Sequence, residues 1–336
     1  MRVLVTGATG FVGFHTSVAL QRAGHSVRLG IRNVDKMQQL YQAHGIEVSD
    51  FAVGAITDEE AVAKALDGCD AVVHTAAMVS MDPSLAETVR QTNVRGTELV
   101  IGGAVQRGIE AIVYVSSVTA IYDRHAQTIN ETSSLGEATS GYGRSKIECE
   151  KYVRGLIAGG APVAITYPSM IVGPDDPMLS EGNQGVAYFI HSAVPITTTG
   201  AQFTDVRDLA QAHVKLLEGR KSGSYVVGGG YLTWRELYHA LNGITARKVR
   251  KIPMPRFLFR IIGSLVDAAV HIKRFDTPIS REAVTYTTEW VVVDDSKLHR
   301  ELDLDFHTVH DTLRDTVEWL ATAGHIDRSW VRQEQS

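Results

Sequence analysis

Short, mostly apolar runs alternate along this chain with longer stretches in which apolar residues recur every three or four positions. The runs at 2–5, 26–31, 47–53, 70–74, 111–115 and 163–167 predict β-strands, and the periodic stretches at 14–23, 58–66, 85–107 and 142–158 predict helices between them. Gly24 stops the first of those helices and the pair Gly159-Gly160 the last. Strands that are apolar throughout are buried on both faces, and when helices separate them they form a parallel sheet covered on both sides. The expected fold class is therefore α/β, a doubly wound parallel sheet of the Rossmann type, which binds ligands at the carboxyl ends of its strands.

Thr6-Gly7-Ala8-Thr9-Gly10-Phe11-Val12-Gly13 follows the first strand directly and opens the first helix. Gly7 permits a turn too tight for a residue with a Cβ, Gly10 lets a ligand approach the main chain, and Gly13 lets the helix pack closely on the strand. The helix start then offers unpaired N–H groups and a positive dipole end to a pyrophosphate. The glycines are spaced G-x-x-G-x-x-G. At the end of the second strand an acid would bind the adenosine ribose hydroxyls of NAD, whereas an arginine accommodates the extra phosphate of NADP. The chain has Gly30-Ile31-Arg32-Asn33 there and no carboxylate until Asp35, so Arg32 argues for NADP over NAD.

After Pro168 the alternation breaks up around Pro174, Pro177 and Pro195. A helix at 206–218 and a strand at 224–227 follow, and from 233 onward the pattern is mostly helical, with one further strand at 290–293 and a helix starting near Ser296 behind Asp294-Asp295. The expected division is a nucleotide-binding domain at 1–168, rejoined at about 204–228, and a smaller, mostly helical substrate-binding region at 169–203 and 229–325. The segment 257–270 carries a broad apolar stripe that could wall an apolar pocket, touch a membrane surface or simply pack as core.

Composition narrows the possibilities. A net charge of −5 with no basic run excludes a nucleic-acid surface, and Cys69 and Cys149 alone make no disulfide framework. No uncharged run is long enough to span a bilayer, and the start of the chain reads as a strand and a glycine turn, so the expectation is a soluble, cytoplasmic protein. His307 and His310 have no cysteine or carboxylate cluster at ligand spacing, so no metal site is expected.

The strongest chemical signal is Tyr142-Gly143-Arg144-Ser145-Lys146. Residues four apart share a helix face, so phenol and ammonium sit side by side. A nearby cation lowers a tyrosine pKa from its usual value of about 10 towards working pH, which is what a general acid for carbonyl reduction requires. Of the eleven tyrosines, only Tyr142 has a lysine four residues on.

Taken together these stretches resemble the extended short-chain dehydrogenase/reductase family, within the epimerase/dehydratase superfamily. The motifs carrying the likeness are Thr6 to Gly13, His74-Thr75-Ala76-Ala77, Asn93-Val94-Arg95-Gly96-Thr97, Val115-Ser116-Ser117 and Tyr142 to Lys146, then Pro168-Ser169-Met170-Ile171-Val172-Gly173-Pro174 and Phe203 to Ala210. The resemblance implies that Tyr142 exchanges a proton with the substrate oxygen, that Lys146 holds the nicotinamide ribose, and that Ser117, or its neighbour Ser116, orients that oxygen. Asn93 would sit near a proton relay or serve helix packing. Gly7, Gly10, Phe11, Val12, Gly13, Arg32, Thr75, Ala76, Ala77, Val115, Pro168 and Met170 would line the cofactor, NADP or else NAD. His74 would be a structural residue near it.

Departures refine the expectation. Gly54-Ala55-Ile56 stands where many relatives touch adenine with an acid, Val118-Thr119 follows the hydroxyls where dehydratases carry an acid pair, and Met170 replaces the asparagine usual in sugar-nucleotide epimerases. Tyr167 replaces an arginine often found before the proline. The chain is most similar to the dihydroflavonol reductase-like and 3β-hydroxysteroid dehydrogenase branches. The implied activity is NADP-dependent reduction of a ketone or aldehyde on a mainly apolar small molecule, or the reverse oxidation. A nucleotide-sugar epimerase and a non-catalytic NADP-binding sensor are the alternatives. The family also implies a homodimer through the helices at 85–107 and 142–158.

Overall fold

A computed structural model describes residues 1–80, 82–138, 140–253 and 281–332. Seven strands, β1 (Arg2–Thr6), β2 (Ser26–Ile31), β3 (Phe51–Val53), β4 (Ala71–His74), β5 (Ala111–Val115), β6 (Val163–Pro168) and β10 (Gly223–Val227), form one parallel sheet. Their order is β10-β6-β5-β4-β1-β2-β3. The most apolar runs take the centre: every residue of β4, β5 and β6 is buried. The doubly wound α/β fold expected from the alternation is present.

Helices cover both faces. α1 (Phe11–Arg22), α2 (Val34–Ala43), α8 (Val206–Glu218) and α11 (Ser296–Leu302) bury Phe14, Leu20, Met37, Tyr41, Leu209, Leu216 and Leu298 on one side. α3 (Glu59–Leu66), the rod of α4 (Ala86–Thr97) and α5 (Gly103–Gln106), and α6 (Gly141–Ala158) bury Val62, Leu66, Ile101, Cys149 and Val153 on the other. A π-helical turn, Glu98–Gly102, joins α4 to α5, so the single helix expected at 85–107 runs through with one change of pitch.

A third core lies beside the sheet. A mixed three-stranded sheet, in the order β11 (Gly230–Thr233), β9 (Gly200–Asp205), β7 (Met170–Val172), packs with α7 (Glu181–His191), α9 (Trp234–Ile244) and α12 (Val309–Thr322) around Phe203, Trp234, Leu237 and Leu313. β8 (Val194–Ile196) pairs in parallel with β12 (Lys251–Pro253), and α10 (Arg281–Glu289) lies against β9.

Several sequence expectations are corrected. The strand expected at 47–53 shortens to the three edge residues of β3, because the chain before it is fastened by side chains: Arg2 Nε and Arg28 Nε donate to Asp50 at 2.8 and 3.0 Å. No strand forms at 290–293, where Val293 alone bridges to Ile129. The amide of Gln202 satisfies that backbone instead, accepting from Val293 N and donating to Val293 O at 3.0 Å each. α2 forms where the apolar pattern predicts no helix, with Asn33 accepting from Lys36 N at 2.9 Å as its cap. Ahead of α11 the two aspartates divide their work: Asp294 accepts from Ser296 N, while Asp295 accepts from Gly228 N and Gly229 N.

His307 does have carboxylate neighbours. Its Nδ1 lies 2.6 Å from Asp208 Oδ1, and Asp205, Asp208 and His307 bring ligand atoms within 4.8 Å of one another. Asp205 Oδ2 is engaged by Arg207 Nη2 at 2.7 Å and by Thr312 Oγ1 at 2.9 Å, so the cluster is an ion-pair network fastening α8 to α12. The apolar stripe at 257–270 lies outside the described residues.

Candidate active site

The chain crosses the sheet between β3 and β4, which leaves β1 with β2 on one side and β4 on the other. Ligands of open parallel sheets bind at such a switch point, and a cleft of about 2280 Å³ opens there, at the carboxyl ends of β1, β4, β5 and β6. Small-molecule sites run to roughly 300–1,000 Å³, so this cleft has room for two ligands.

Its first wall is main chain. Gly7 has a φ of 70°, and a Cβ on it would stand 2.9 Å from Ala76 N and Cα. A Cβ on Gly13 would stand 2.2 Å from the Gly7 carbonyl oxygen. On Gly10 the nearest atom to an added Cβ is that same oxygen, at 3.3 Å, which leaves its outer side open. α1 starts at Phe11 with no side-chain cap and no acid in its first turn, so its dipole end is uncompensated. The facing loop is tied to β1: Thr75 Oγ1 donates to Thr6 O at 2.7 Å and Ala76 N to Thr6 Oγ1 at 3.3 Å. Thr6 Oγ1 also meets His74 Nδ1 at 2.7 Å. His74 is wholly buried, and desolvation, with Lys146 adding to it, pushes its pKa down to about 3, so the ring is neutral.

The second element is the start of α6. Ser140 accepts from Gly143 N at 2.9 Å and fixes the first turn, in which Tyr142 lies. Lys146 Nζ is 5.8 Å from the Tyr142 ring centroid and donates to Val115 O at 3.0 Å, so α6 is bolted to the end of β5. Burial holds the Lys146 ammonium below its usual range, and Cys149 and Glu150 oppose that shift. Tyr142, Lys146 and Ser117 line one cleft together with Gly7, Gly10, Phe11, Val12, Gly13, Arg32, Thr75, Ala76, Ala77, Val115, Pro168 and Met170. These residues fit a dinucleotide: the glycine cradle admits main-chain contact, and Ser169, another lining residue, carries a buried hydroxyl with no partner among the described residues.

The geometry has counterparts in known proteins. The model of the NAD dependent epimerase/dehydratase family matches residues 3–228. The chain belongs to this family. It is an NAD(P)-dependent oxidoreductase of the extended short-chain type. A candidate dihydroflavonol 4-reductase from Synechocystis sp. is 26% identical over 96% of this chain and 95% of its own. The sterol demethylase protein B of Methylococcus capsulatus is 28% identical over 97% and 100%. The crystal structure of gox2253 superposes with a TM-score of 0.79 at 26% identity, covering 97% of this chain and 99% of that one.

Within the family's frame, the two adjacent hydroxyls after β5 differ. Ser116 is buried and donates to Glu150 Oε2 at 2.9 Å. Ser117 is half-exposed, and its nearest partner is Thr119, at 3.1 Å from hydroxyl to hydroxyl. Asn93 is not among the cleft's lining residues. Its side chain accepts from Met78 N at 2.7 Å and donates to Met78 O and to Ser145 Oγ, which pins the loop after β4 to α6.

Three features had no sequence signal. Glu150, wholly buried, gathers Ser116, Arg154 Nε at 2.8 Å and the Tyr167 hydroxyl. Arg154 Nη2 also donates to the Tyr167 hydroxyl at 3.1 Å, so Tyr167, Arg154 and Glu150 form one hydrogen-bonded group. Lys36 lines the cleft beside Arg32, and only the unpredicted α2 puts it there. Asp176, also in the lining, is a buried hydrogen-bond acceptor in an irregular turn, whose residue type alone reads as surface.

Proposed function

We propose that this protein reduces a ketone or aldehyde on a mainly apolar small molecule with NADPH, or runs the reverse oxidation. The observation that supports the reading is that Tyr142, with Lys146 Nζ 5.8 Å from its ring centroid, and Ser117 line the same cleft as Gly7, Gly10 and Gly13. A nicotinamide cofactor, when bound, supplies the hydride. As hydride adds to the carbonyl carbon, the C=O electron pair moves to oxygen, and the Tyr142 phenol gives that oxygen its proton. Ser117 orients the oxygen. Lys146 holds the nicotinamide ribose and favours the phenolate left behind. Arg32 and Lys36 are two cations at the end of β2, where the adenosine of a bound dinucleotide would lie, and they support NADPH over NADH.

The relatives' names point the same way, since the candidate dihydroflavonol 4-reductase and the cinnamoyl-CoA reductase 2 of Arabidopsis thaliana, 26% identical over 96% of this chain and 93% of its own, are both reductases by name. A nucleotide-sugar epimerase is the second reading, favoured by similar folds such as the UDP-glucose-4-epimerase from Stenotrophomonas maltophila, 23% identical with a TM-score of 0.76. It demands a cationic diphosphate site. Among the described residues lining the half of the cleft away from the glycine turn, the charged ones are Asp82, Asp176 and Glu181, all acids. A cytoplasmic homodimer is part of the proposal, and sedimentation would show its mass.

The test is NADPH oxidation with ketones, read beside NADPH affinity. Tyr142→Phe lowers kcat at least about a hundredfold, the range of one general acid, with the dissociation constant for NADPH within twofold of wild type. Arg32→Asp weakens NADPH more than NADH. Turnover that survives Tyr142→Phe sinks the mechanism, and NADPH binding without turnover of any carbonyl leaves a sensor.

A further inference from the structure

The turn from β7 into α7 is held in a shape its residue types disfavour. Gly173, Asp175 and Leu179 all have positive φ, at 146°, 56° and 50°. Glycine takes such values freely and aspartate tolerates them, but a bulky leucine in the left-handed region is an outlier that the surroundings must impose. Two side chains impose it. Asp176, 4% exposed, accepts from Met178 N at 3.1 Å, from Ser180 N and Oγ at 2.6 Å each, and from Asn183 Nδ2 at 3.1 Å. Asn183, fully buried, accepts from Gly173 N at 3.2 Å and donates to Gly173 O at 2.9 Å. The turn is closed at both ends by this pair of buried side chains.

What the clamp displays is apolar. Met178 and Leu179 line the cleft, with Tyr188 and Phe189 of α7 beside them. Met178 is 66% exposed and Tyr188 40%, and Val79 and Ile252, each 48% exposed, line the same cleft. Nine large apolar side chains are exposed among the described residues, and with Val53 five of them border this one cavity. Scattered apolar exposure is ordinary, but concentration at the rim of a cavity marks a binding surface.

We infer that the clamped turn at 173–183 is a specificity element, which holds Leu179 and Met178 in place to receive the uncharged, apolar, non-reacting part of the carbonyl substrate. The inference rests on the proposed reductase reading and adds to it the residues that select the apolar part of the substrate. A preformed turn needs no ordering when the ligand arrives, so its apolar area contributes fully to binding. The acids nearby, Asp82 and Glu181, disfavour an anionic tail such as a diphosphate.

Two methyl ketones that differ only in apolar bulk, acetone and methyl naphthyl ketone, test it. Wild type is expected to show a kcat/KM at least a hundredfold higher for the naphthyl ketone. Leu179→Asn keeps a residue that accepts the left-handed backbone but removes the apolar side chain, and it should cut that ratio about tenfold, mainly through KM. Asp176→Ala, which leaves residue 179 unchanged, should cut the ratio similarly by loosening the turn. Ratios within threefold of wild type in both variants overturn the inference. Direct binding of methyl naphthyl ketone to the NADP⁺-loaded protein, read by calorimetry, separates the two ideas. Binding weakened at least fivefold by Leu179→Asn, without turnover by wild type, upholds the apolar subsite while the reductase reading falls; absence of binding to wild type overturns the subsite.

Discussion

On one stretch of the cleft wall, Gly7, Gly10 and Gly13 shape it from main chain alone; on the next, which meets α1 where His15 Nε2 lies 3.0 Å from Pro174 O, Asp176 and Asn183 shape it by hydrogen-bonding a turn into place. The first wall works by leaving atoms out, which would let the phosphates of the proposed dinucleotide reach backbone N–H groups. The second works by putting buried polar side chains in, so that apolar ones are displayed. The difference teaches where each wall tolerates change. A backbone cradle fails when any Cβ is added, whereas a clamped turn fails when its acceptors are removed.

The largest expected effect breaks the first wall. Gly13→Val places atoms where even a Cβ would lie 2.2 Å from the Gly7 carbonyl oxygen, so α1 must leave β1. Overpacking of this kind costs about 3 kcal/mol or more, and the helix start no longer faces the cleft. NADPH affinity should fall at least a hundredfold, with a lowered melting temperature. The control on the other wall is Gly185 of α7, which also borders the cleft but has nothing within 4 Å of an added Cβ. Gly185→Ala should raise stability by up to about 1 kcal/mol, the helix-propensity gain. Equal penalties at the two glycines would erase the distinction between the walls.

A second prediction concerns acid. His74 and His213 both belong to the nucleotide-binding half, both are wholly buried, and burial pushes both pKa values down to about 3. His213 joins three elements, meeting Thr16 Oγ1 at 2.9 Å and Thr166 Oγ1 at 3.3 Å. A histidine whose folded pKa lies below its unfolded value of about 6.5 binds its proton only on unfolding. Its contribution to stability is whole above pH 6.5 and is lost as pH falls from there towards 3. Each should remove about 1.4 kcal/mol per pH unit in that window. Through these two histidines, unfolding should take up about one proton at pH 6.5 and about two near pH 5, read as the pH slope of stability in chemical denaturation, and His213→Gln should lower the total uptake near pH 5 by about one. An unchanged slope would mean that His213 is already protonated in the fold.

Legibility in the sequence followed the distance over which each feature is built. The glycine turn and the Tyr142–Lys146 pair are local, fixed by spacings of three and four residues, and both are legible in the sequence alone. So was the parallel sheet, because central strands must be apolar throughout. α2 was not, since it buries only Met37 and Tyr41, a stripe too narrow to stand out. Gln202 satisfying Val293 spans 91 residues, and Glu150 joining Ser116 to Tyr167 crosses from a helix to two strands. Nothing local announces such partners. The clamp at 173–183 is the instructive middle case. It is local in sequence, and Pro174 and Pro177 mark an irregular stretch, yet a leucine forced to positive φ gives no compositional sign, because position 179 lacks the glycine that would advertise that backbone.

The smallest effect sharpens the comparison from the side of the second region. α9 begins with a reciprocal cap: Glu236 N donates to Thr233 Oγ1 at 3.2 Å, while Glu236 Oε2 accepts from Thr233 N at 2.8 Å. Both groups are solvent-exposed, so the loss on Thr233→Ala is that of one cap, about 1 kcal/mol. α9 carries Trp234, whose indole N–H donates to Thr287 O at 2.8 Å and whose ring lines the apolar half of the cleft. If the walls are independent, the variant should melt a few degrees lower and bind NADPH as wild type does, with any change confined to the KM for bulky ketones. A parallel loss of NADPH affinity would show that the second region supports the glycine cradle, and that the two walls act as one body.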